Sequence, residues 1–204
     1  KVSSADVTIA GVTVEGGNNV YTAGIILSSW TTVDRSSVVV QNVTGMWLTG
    51  LGAAVLDSTS SVSGAAQAAL LVDGSYGTVR GSRLMAPNGW AGYVRSNGNS
   101  IFGSTFSANA ALYPAVIIQN ASENTISGSS ITHTGGSGGS ADALYMLNAH
   151  RNIIASSTLS AKGFGSVLEL ANSSNNVVSG SYLSYVHTGD PPCATAVSLD
   201  GAGN

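Results

Sequence analysis

The sequence predicts an all-β fold, a right-handed parallel β-helix solenoid of about 7–8 coils with 22–28 residues in each coil. Two observations predict it: one motif recurs along the chain, and a second apolar strand recurs at a fixed distance before each copy. The composition agrees, since only 8% of the residues are charged and short apolar stretches alternate with Gly, Ser and Asn. We expect one domain over residues 1–204. Because no polar cap is recognisable at either end, we expect a segment of a longer solenoid.

The motif reads Asn, any residue, Ile or Val, any residue, a small residue, Ser, any residue, an apolar residue, then Ser or Thr. Copies begin at the anchor residues Asn99, Asn124, Asn152 and Asn176, at spacings of 25, 28 and 24 residues, and a fainter copy begins at Gly77. We expect each anchor Asn to adopt the left-handed turn conformation and to hydrogen-bond to the Asn of the next coil. The Gly-Ser step inside the motif predicts a sharp corner.

The second element of the repeat is an apolar strand that ends four residues before the next anchor Asn, as in residues 115–120, 143–148 and 167–172. Stacking of coils places each Ile or Val on its equivalent about 4.8 Å away, which builds an aliphatic interior. The first third of the chain is less regular but compatible with this pattern. A β-sandwich is the alternative, although it gives no reason for Asn to recur at one register.

Composition and charge exclude several kinds of partner. The net charge is −3 and the seven Lys and Arg residues are scattered, so no nucleic acid partner is expected. No apolar run approaches the ~18 residues that span a bilayer, so no membrane insertion is expected. The single Cys193 excludes an internal disulfide framework and a Cys-based zinc site. No dense acidic cluster suggests calcium, and we expect neither a metal nor a cofactor.

One connection of the repeat absorbs all variation in length. It joins the anchored strand to the next apolar strand, at residues 86–90, 108–114, 133–142, 161–165 and 185–195. Insertions at one register of a solenoid lie on one face, which is often the binding face. This face should collect aromatic and titratable residues, namely Trp90, Tyr113, His133, Asp142, Lys162, His187 and Asp190. The alternative is that variable loops simply tolerate such residues.

The candidate site residues follow from this face and from outward strand positions. Acid–base chemistry needs carboxylates, or His residues that titrate near neutrality, and a glycosidase needs two carboxylates that face each other. The candidate catalytic residues are therefore Asp142, Glu169, Asp190, His133 and His187. The candidate substrate-binding residues are Trp90, Tyr93, Arg95, Tyr113, Tyr145 and Lys162. The alternatives are a hydrogen-bonded loop His and a solvated strand face.

The repeat resembles that of the parallel β-helix superfamily, which includes pectate lyases, epimerases, fructan-processing enzymes and phage tailspikes. A narrower similarity covers residues 99–131, with Tyr113-Pro114 and then the stretch 120–124, and the closing residues 201–204. These segments are similar to coils of inulin fructotransferases. That resemblance implies a trimeric β-helix that cuts terminal difructose units from inulin with a carboxylate pair.

The chain departs from that family where the acidic pair is expected. In the coil at residues 38–57 it has Gln41 or Asn42, and Asp57 is its only acid. The resemblance therefore carries no catalytic residue over to this sequence.

Together these patterns predict an extracellular or cell-surface protein that binds or processes a polysaccharide, of fructan or uronan type, on its loop face. An enzyme of this kind would be a polysaccharide lyase, a glycoside hydrolase or a fructotransferase. The alternative is a non-catalytic structural module, such as a stalk, adhesin or filament subunit. Its protein partners would be further copies of the chain, as in a trimer, or a neighbouring solenoid segment.

Overall fold

The computed structural model describes residues 6–16, 23–135, 142–163, 165–187 and 196–200. These residues contain 24 short strands and no helix. In the first four coils the strands are β1 Thr8–Ala10, β2 Thr13–Gly16, β3 Ala23–Leu27, β4 Thr32–Asp34, β5 Ser37–Val40, β6 Thr44–Leu48, β7 Ala54–Leu56, β8 Thr59–Val62, β9 Ala68–Val72, β10 Thr78–Arg80, β11 Arg83–Ala86 and β12 Trp90–Val94. In the following coils they are β13 Ser100–Phe102, β14 Thr105–Ala108, β15 Val116–Gln119, β16 Thr125–Ser127, β17 Ser130–His133, β18 Leu144–Leu147, β19 Ile153–Ala155, β20 Thr158–Gly163, β21 Leu168–Ala171, β22 Val177–Ser179, β23 Tyr182–His187 and β24 Val197–Asp200.

Every third strand belongs to the same sheet, so each coil contributes one strand to each of three parallel sheets of eight strands. The first sheet runs from β1 to β22, the second from β2 to β23 and the third from β3 to β24. The anchored motif forms two of these strands, one on each side of its Gly-Ser step. This confirms the predicted parallel β-helix.

The interior is a set of aliphatic rows in which equivalent residues of successive coils pair directly. In the first sheet the row includes Val79, Ile101, Ile126 and Ile154, all of which are buried. Because one residue from each coil stacks on the next, burial of apolar surface stabilises the contact between coils.

The corner between the first and second strands, here called the serine corner, contains a ladder of buried hydroxyl groups. The amide nitrogen of Ser82 donates to Oγ of Ser104 at 3.2 Å, and that of Ser104 donates to Oγ of Ser129 at 3.2 Å. Each hydroxyl in turn donates to the carbonyl oxygen two residues earlier, as Ser104 does to Phe102. The preceding residue has a positive φ, 58° at Gly103 and 54° at Gly128, which confirms the predicted sharp corner.

The corner between the third strand and the next first strand, here called the asparagine corner, contains the predicted Asn ladder. The side-chain nitrogen Nδ2 of Asn99 donates to Oδ1 of Asn124 at 3.0 Å, and that of Asn124 donates to Oδ1 of Asn152 at 3.1 Å. The backbone amides of the same residues donate to the same oxygens, each at 2.9 Å. The ladder is buried, so these bonds satisfy polar groups that water does not reach.

The expectation that the anchor Asn adopts the left-handed conformation is wrong. The residue before each anchor has the positive φ instead: 70° at Gly98, 62° at Glu123 and 55° at Arg151. The chain turns at that residue, and the anchor Asn that follows directs its amide into the interior. The Asn side chain points inward to form the ladder, and the preceding residue adopts the left-handed conformation that turns the chain.

The connection between the second and third strands, here called the loop edge, varies in length as expected. It comprises only residues 87–89 between β11 and β12, but residues 134–143 between β17 and β18. The other two corners keep nearly constant lengths because their ladders join each coil to the next.

Candidate functional site

The outward face of the third sheet differs from that of the second sheet. Its central row consists of residues that pair in register from coil to coil, namely Ile26, Trp47, Leu71, Tyr93, Ile117, Tyr145, Glu169 and Ser198. The corresponding row of the second sheet is rich in hydroxyl groups, such as Ser107, Thr132 and Ser160. Aromatic and titratable side chains are thus concentrated on the third sheet.

Three of the predicted substrate-binding residues lie together where the third sheet meets the loop edge. The ring centroid of Trp90 lies 5.2 Å from that of Tyr93 and 4.6 Å from that of Tyr113, the latter in an edge-to-face arrangement. Trp90 and Tyr93 come from β12, whereas Tyr113 belongs to the loop-edge connection of the next coil. We call these three residues the Trp90 cluster. Aromatic pairs in this geometry support one another and hold their ring faces in place.

An open cavity of about 210 Å³ adjoins the Trp90 cluster. Its lining is mainly apolar and includes Tyr113 itself, and it comprises Ala65, Asn88, Ala110, Ala111, Leu112 and Tyr113. The depression is shallow and smaller than the pockets that enclose small molecules, so it offers an open apolar surface beside the rings.

A chain of polar contacts fixes the orientation of Tyr93. Trp47 donates its indole N–H to Oδ2 of Asp73 at 2.8 Å, and Arg95 binds both oxygens of Asp73 at 2.7 Å. The guanidinium carbon of Arg95 lies 5.2 Å from the centroid of the Tyr93 ring, and the Tyr93 hydroxyl donates to Oε1 of Gln119. Arg95, a predicted substrate contact, therefore positions Tyr93 in this structure. Trp47, Asp73 and Gln119 were not predicted from the sequence. Alignment of the coils in register places them close to Tyr93 and Arg95 and could have identified them.

A second, acidic group combines Tyr145, Glu169 and Asp200, which lie on strands of the same sheet, with Asp142, which lies in the loop-edge connection just before β18. Burial, and then the charge of Asp200, raise the pKa of Glu169. Burial, followed by the charges of Glu169, Asp142 and Asp200, raises the pKa of Tyr145. A carboxyl group with a raised pKa is suited to general acid catalysis. Asp200 was not among the predicted residues. It pairs with Ala171 of the previous coil, and Ala171 is two residues after Glu169 on the same strand.

Asp142 is almost completely buried, with 1% of its surface exposed. Its Oδ1 accepts a hydrogen bond of 2.5 Å from the amide of Ser166, and Oδ2 has no hydrogen-bond partner among the described residues. Burial, opposed by that bond and assisted by the charge of Glu169, raises the pKa of Asp142 to about 6. This carboxyl group therefore exchanges a proton near neutral pH.

His133 lies apart from the acidic group. It is the last residue of β17, and its ring points into the interior with 0% exposed. Nε2 lies 2.9 Å from the carbonyl oxygen of Ala110, which requires a proton on Nε2, and Nδ1 has no partner within the described residues. Burial lowers the pKa of His133. The neighbours that act on this pKa are the backbones of Ala110 and Tyr113, and no carboxylate is among them.

Of the remaining predicted residues, Lys162 joins neither group. Lys162 is exposed on β20, in the second sheet. His187 ends β23, and Asp190 lies outside the described residues. Their proposed roles remain predictions.

Residues 68–189 match the family model described as the right-handed β-helix region. The chain belongs to the right-handed β-helix family. The match covers more than half of this β-helix protein, including the Trp90 cluster and the Asp142–Glu169 part of the acidic group. No curated protein matches the chain.

The part of the β-helix protein that the structure describes has no helix long and apolar enough to cross a membrane. It also has no group of three or more His, Cys, Asp or Glu side chains placed to hold a metal ion.

Proposed function

We propose that this β-helix protein binds a polysaccharide along the outward face of its third sheet. The observation that supports the proposal is the Trp90 cluster, where Trp90 contacts both Tyr93 and Tyr113 beside an apolar cavity. A sugar ring presents an apolar C–H face that packs on an aromatic ring, while its hydroxyl groups need nearby polar partners. Asn88 lines the cavity and Gln119 bonds to the Tyr93 hydroxyl, so the partners are close to the rings.

The charges of this face favour a neutral polysaccharide over a uronan. Arg95 is engaged by Asp73 through two bonds of 2.7 Å, so its charge is already compensated. Asp200 and the deprotonated fraction of Glu169 add negative charge farther along the sheet. A polymer of uronic acids would be repelled by these carboxylates, whereas a fructan or another neutral glycan would not.

The acidic group supports processing of the bound polymer. Glu169 lies three coils from Tyr93, a separation of about 14 Å, so a chain that runs across the coils contacts both. Glu169, whose pKa is raised, would donate a proton to the glycosidic oxygen. Asp200 would assist on the other side of the bond as nucleophile or as base for water.

Binding is tested with soluble inulin, polygalacturonate and a glycan array. We expect Trp90→Ala and Tyr113→Ala each to weaken binding about tenfold, because each removes a ring face. Tyr182→Ala is the matched control: Tyr182 is 67% exposed on the second sheet, and its loss should leave binding unchanged. Absence of binding to every polysaccharide by the wild-type protein would refute the proposal.

Processing is tested by release of reducing sugars or of difructose units from the polymer that binds. Glu169→Gln and Asp200→Asn should abolish release and leave binding within about twofold, since neither change removes an aromatic ring. If the wild type binds but releases nothing, the protein is a binding module without catalytic activity.

A non-catalytic structural module is the second candidate function, and one observation favours it. The predicted catalytic residues whose side chains the structure describes do not form one constellation: the charge of Glu169 acts on Asp142, while His133 binds the backbone of Ala110 inside the core. A protein without polysaccharide binding that assembles through its surface would support this alternative.

A further inference from the structure

Two large aromatic side chains stand exposed on the asparagine corner, far from the loop edge. Trp30 is 54% exposed and Tyr76 is 65% exposed. Both residues have a positive φ, 58° and 57°, which aromatic residues rarely adopt. The turn itself does not require a ring, because the equivalent places in other coils also have a positive φ and are occupied by Asp6, Gly52, Gly98, Glu123, Arg151 and Asn175. A disfavoured conformation held by a bulky exposed residue is a reason to look for a function.

Each ring lies flat on the glycine of the next coil. A Cβ atom on Gly52 would lie 2.5 Å from both Cε3 and Cζ3 of Trp30 and 3.2 Å from Cδ2. A Cβ atom on Gly98 would lie 2.7 Å from Cε1 and 2.8 Å from Cδ1 of Tyr76. Short distances to adjacent ring atoms place each glycine under a ring face rather than at a ring edge. One face of each ring thus packs on the corner, and the large exposed fraction belongs to the other face.

The rings alternate with glycines at a regular interval. The order along the corner is Trp30, Gly52, Tyr76, Gly98, so the two rings are two coils apart, a separation of about 10 Å. Leu51, 42% exposed, lies between them. The result is a row of two flat aromatic faces with a shared apolar surface.

Apart from the exposed Asp6, whose backbone amide donates to the carbonyl oxygen of Trp30 at 3.1 Å, the described surroundings of this row are uncharged or charge-compensated. Ser29 and Ser75 adjoin the rings in sequence, and Asp73 of the same corner is paired with Arg95. Farther along the row, Glu123 is paired with Arg151 at 2.8 Å. A polyanion such as nucleic acid finds no free cation among the described residues around the rings, whereas a neutral ligand with flat apolar faces and hydroxyl groups fits the rings and the serines.

We propose that Trp30 and Tyr76 form a second binding site, which takes a neutral polysaccharide by stacking two of its sugar rings on the two aromatic faces. We call it the Trp30–Tyr76 site. It borders the third sheet on the asparagine corner, while the Trp90 cluster borders the same sheet on the loop edge. The Trp30–Tyr76 site, the Trp90 cluster and the acidic group follow one another along the coils, so one polymer that runs across the coils can reach all three. The proposal goes beyond the function proposed above because it stands on different residues and can hold without it.

The test measures depletion of the full-length protein from solution by microcrystalline cellulose, chitin and insoluble inulin. In the double variant Trp30→Asn/Tyr76→Asn the rings are lost, but Asn tolerates a positive φ, so the turn is kept. We expect its binding to the retained polymer to fall about tenfold. Trp30→Phe/Tyr76→Phe keeps two ring faces and should bind within about twofold of the wild type. Leu51→Ser removes exposed apolar surface without a ring and should bind normally.

Three results would overturn the proposal. One is wild-type binding by the Asn double variant, and another is an equal loss in Leu51→Ser, which would indicate general apolar adsorption. The third is a concentration-dependent dimer of the wild type that the Asn double variant lacks, since the rings would then bind a second copy of the chain. Trp90→Ala/Tyr113→Ala, measured in parallel, separates the two sites. If only this variant loses binding, the Trp30–Tyr76 site is refuted and the Trp90 cluster stands; if only the Asn double variant loses binding, the reverse holds.

Discussion

Asn99, Asn124 and Asn152 bond to one another inside the asparagine corner, where water does not reach. Oδ1 of Asn124 and Oδ1 of Asn152 each accept from the backbone amide and from the Nδ2 of the preceding Asn, and Oδ1 of Asn99 accepts from the backbone amide of Gly77. The remaining capacity of Nδ2 is used by backbone carbonyls, as when Asn152 donates to Ala121 at 3.2 Å. A buried amide that makes all its bonds is stabilising, whereas one that loses a partner is costly. This explains why the repeat has Asn, and no other polar residue, at four successive anchors.

Asp142 and His133 make the stability of the protein depend on pH in opposite directions. Burial raises the pKa of Asp142 to about 6 and lowers the pKa of His133. In the folded protein both side chains therefore favour their neutral form more strongly than they do in the unfolded chain. The contribution of Asp142 is present at low pH and is lost as pH rises through about 6, because the folded state then has to bury a charge. The contribution of His133 is lost as pH falls below the ordinary pKa of His.

Replacement of Asp142 by Asn should stabilise the protein at neutral pH. Asn keeps an Oδ1 to accept from Ser166 but carries no charge. The gain should be about 3 kcal/mol above pH 7 and should disappear below about pH 4. Urea denaturation midpoints of both proteins at each pH provide the measurement, and His133 cancels in the difference. Asp57→Asn, at an exposed corner where Asp57 pairs with Arg80, is the control and should not stabilise the protein.

At the scale of the elements, the third sheet approaches the second so closely that glycine is required. A Cβ atom on Gly45 would lie 2.0 Å from Oγ of Ser60 and 2.6 Å from the carbonyl oxygen of Ala69. Those two groups already bond to each other at 2.8 Å. The interior side chains of the β-helix are therefore matched in size between the second and third sheets, as well as along each sheet.

The substitution Gly45→Ala should lower the free energy of unfolding by about 3 kcal/mol, since the added methyl group displaces Ser60 and breaks its bond. Gly16→Ala, at the edge of the second sheet, is the matched control. Among the described residues its methyl group would meet Val40 alone, at 3.9 Å, and stability should change by less than about 1 kcal/mol. Chemical denaturation of both variants decides the matter; equal effects would show that loss of glycine flexibility, and not steric contact, governs the change.

At the scale of the whole molecule, each coil touches mainly the coils on either side. Thr78 pairs with Ala54 of the previous coil and with Ser100 of the next. Such a solenoid behaves as a one-dimensional array, in which stability is a sum over coils and their contacts.

Deletion of one whole coil, residues 54–77, should therefore preserve the fold, because Thr78 then takes the place of Ala54 after Ala53. We expect a β-sheet circular dichroism spectrum, cooperative unfolding and a free energy of unfolding lower by about 1–4 kcal/mol. Deletion of half a coil, residues 54–65, brings strands of one sheet into the place of another and should prevent folding. A folded half-coil variant would contradict this description of the repeat.

The sequence by itself determined the parallel β-helix, the period of its coils, the Asn ladder and the variable connection. These features are local: short β-branched strands, turn residues and one recurring anchor dictate them within a single repeat. It also predicted Trp90, Tyr93 and Tyr113 as binding residues, which the structure brings into contact.

Only the tertiary structure decided what meets across coils. It placed His133 in the core, brought Asp200 near Glu169, used the residue before each Asn for the turn and laid Trp30 on Gly52. These neighbours are 20 or more residues apart, and the connections between them vary in length. Their proximity depends on the register summed over those connections and on the direction of each side chain. Neither is encoded in the local pattern of one repeat.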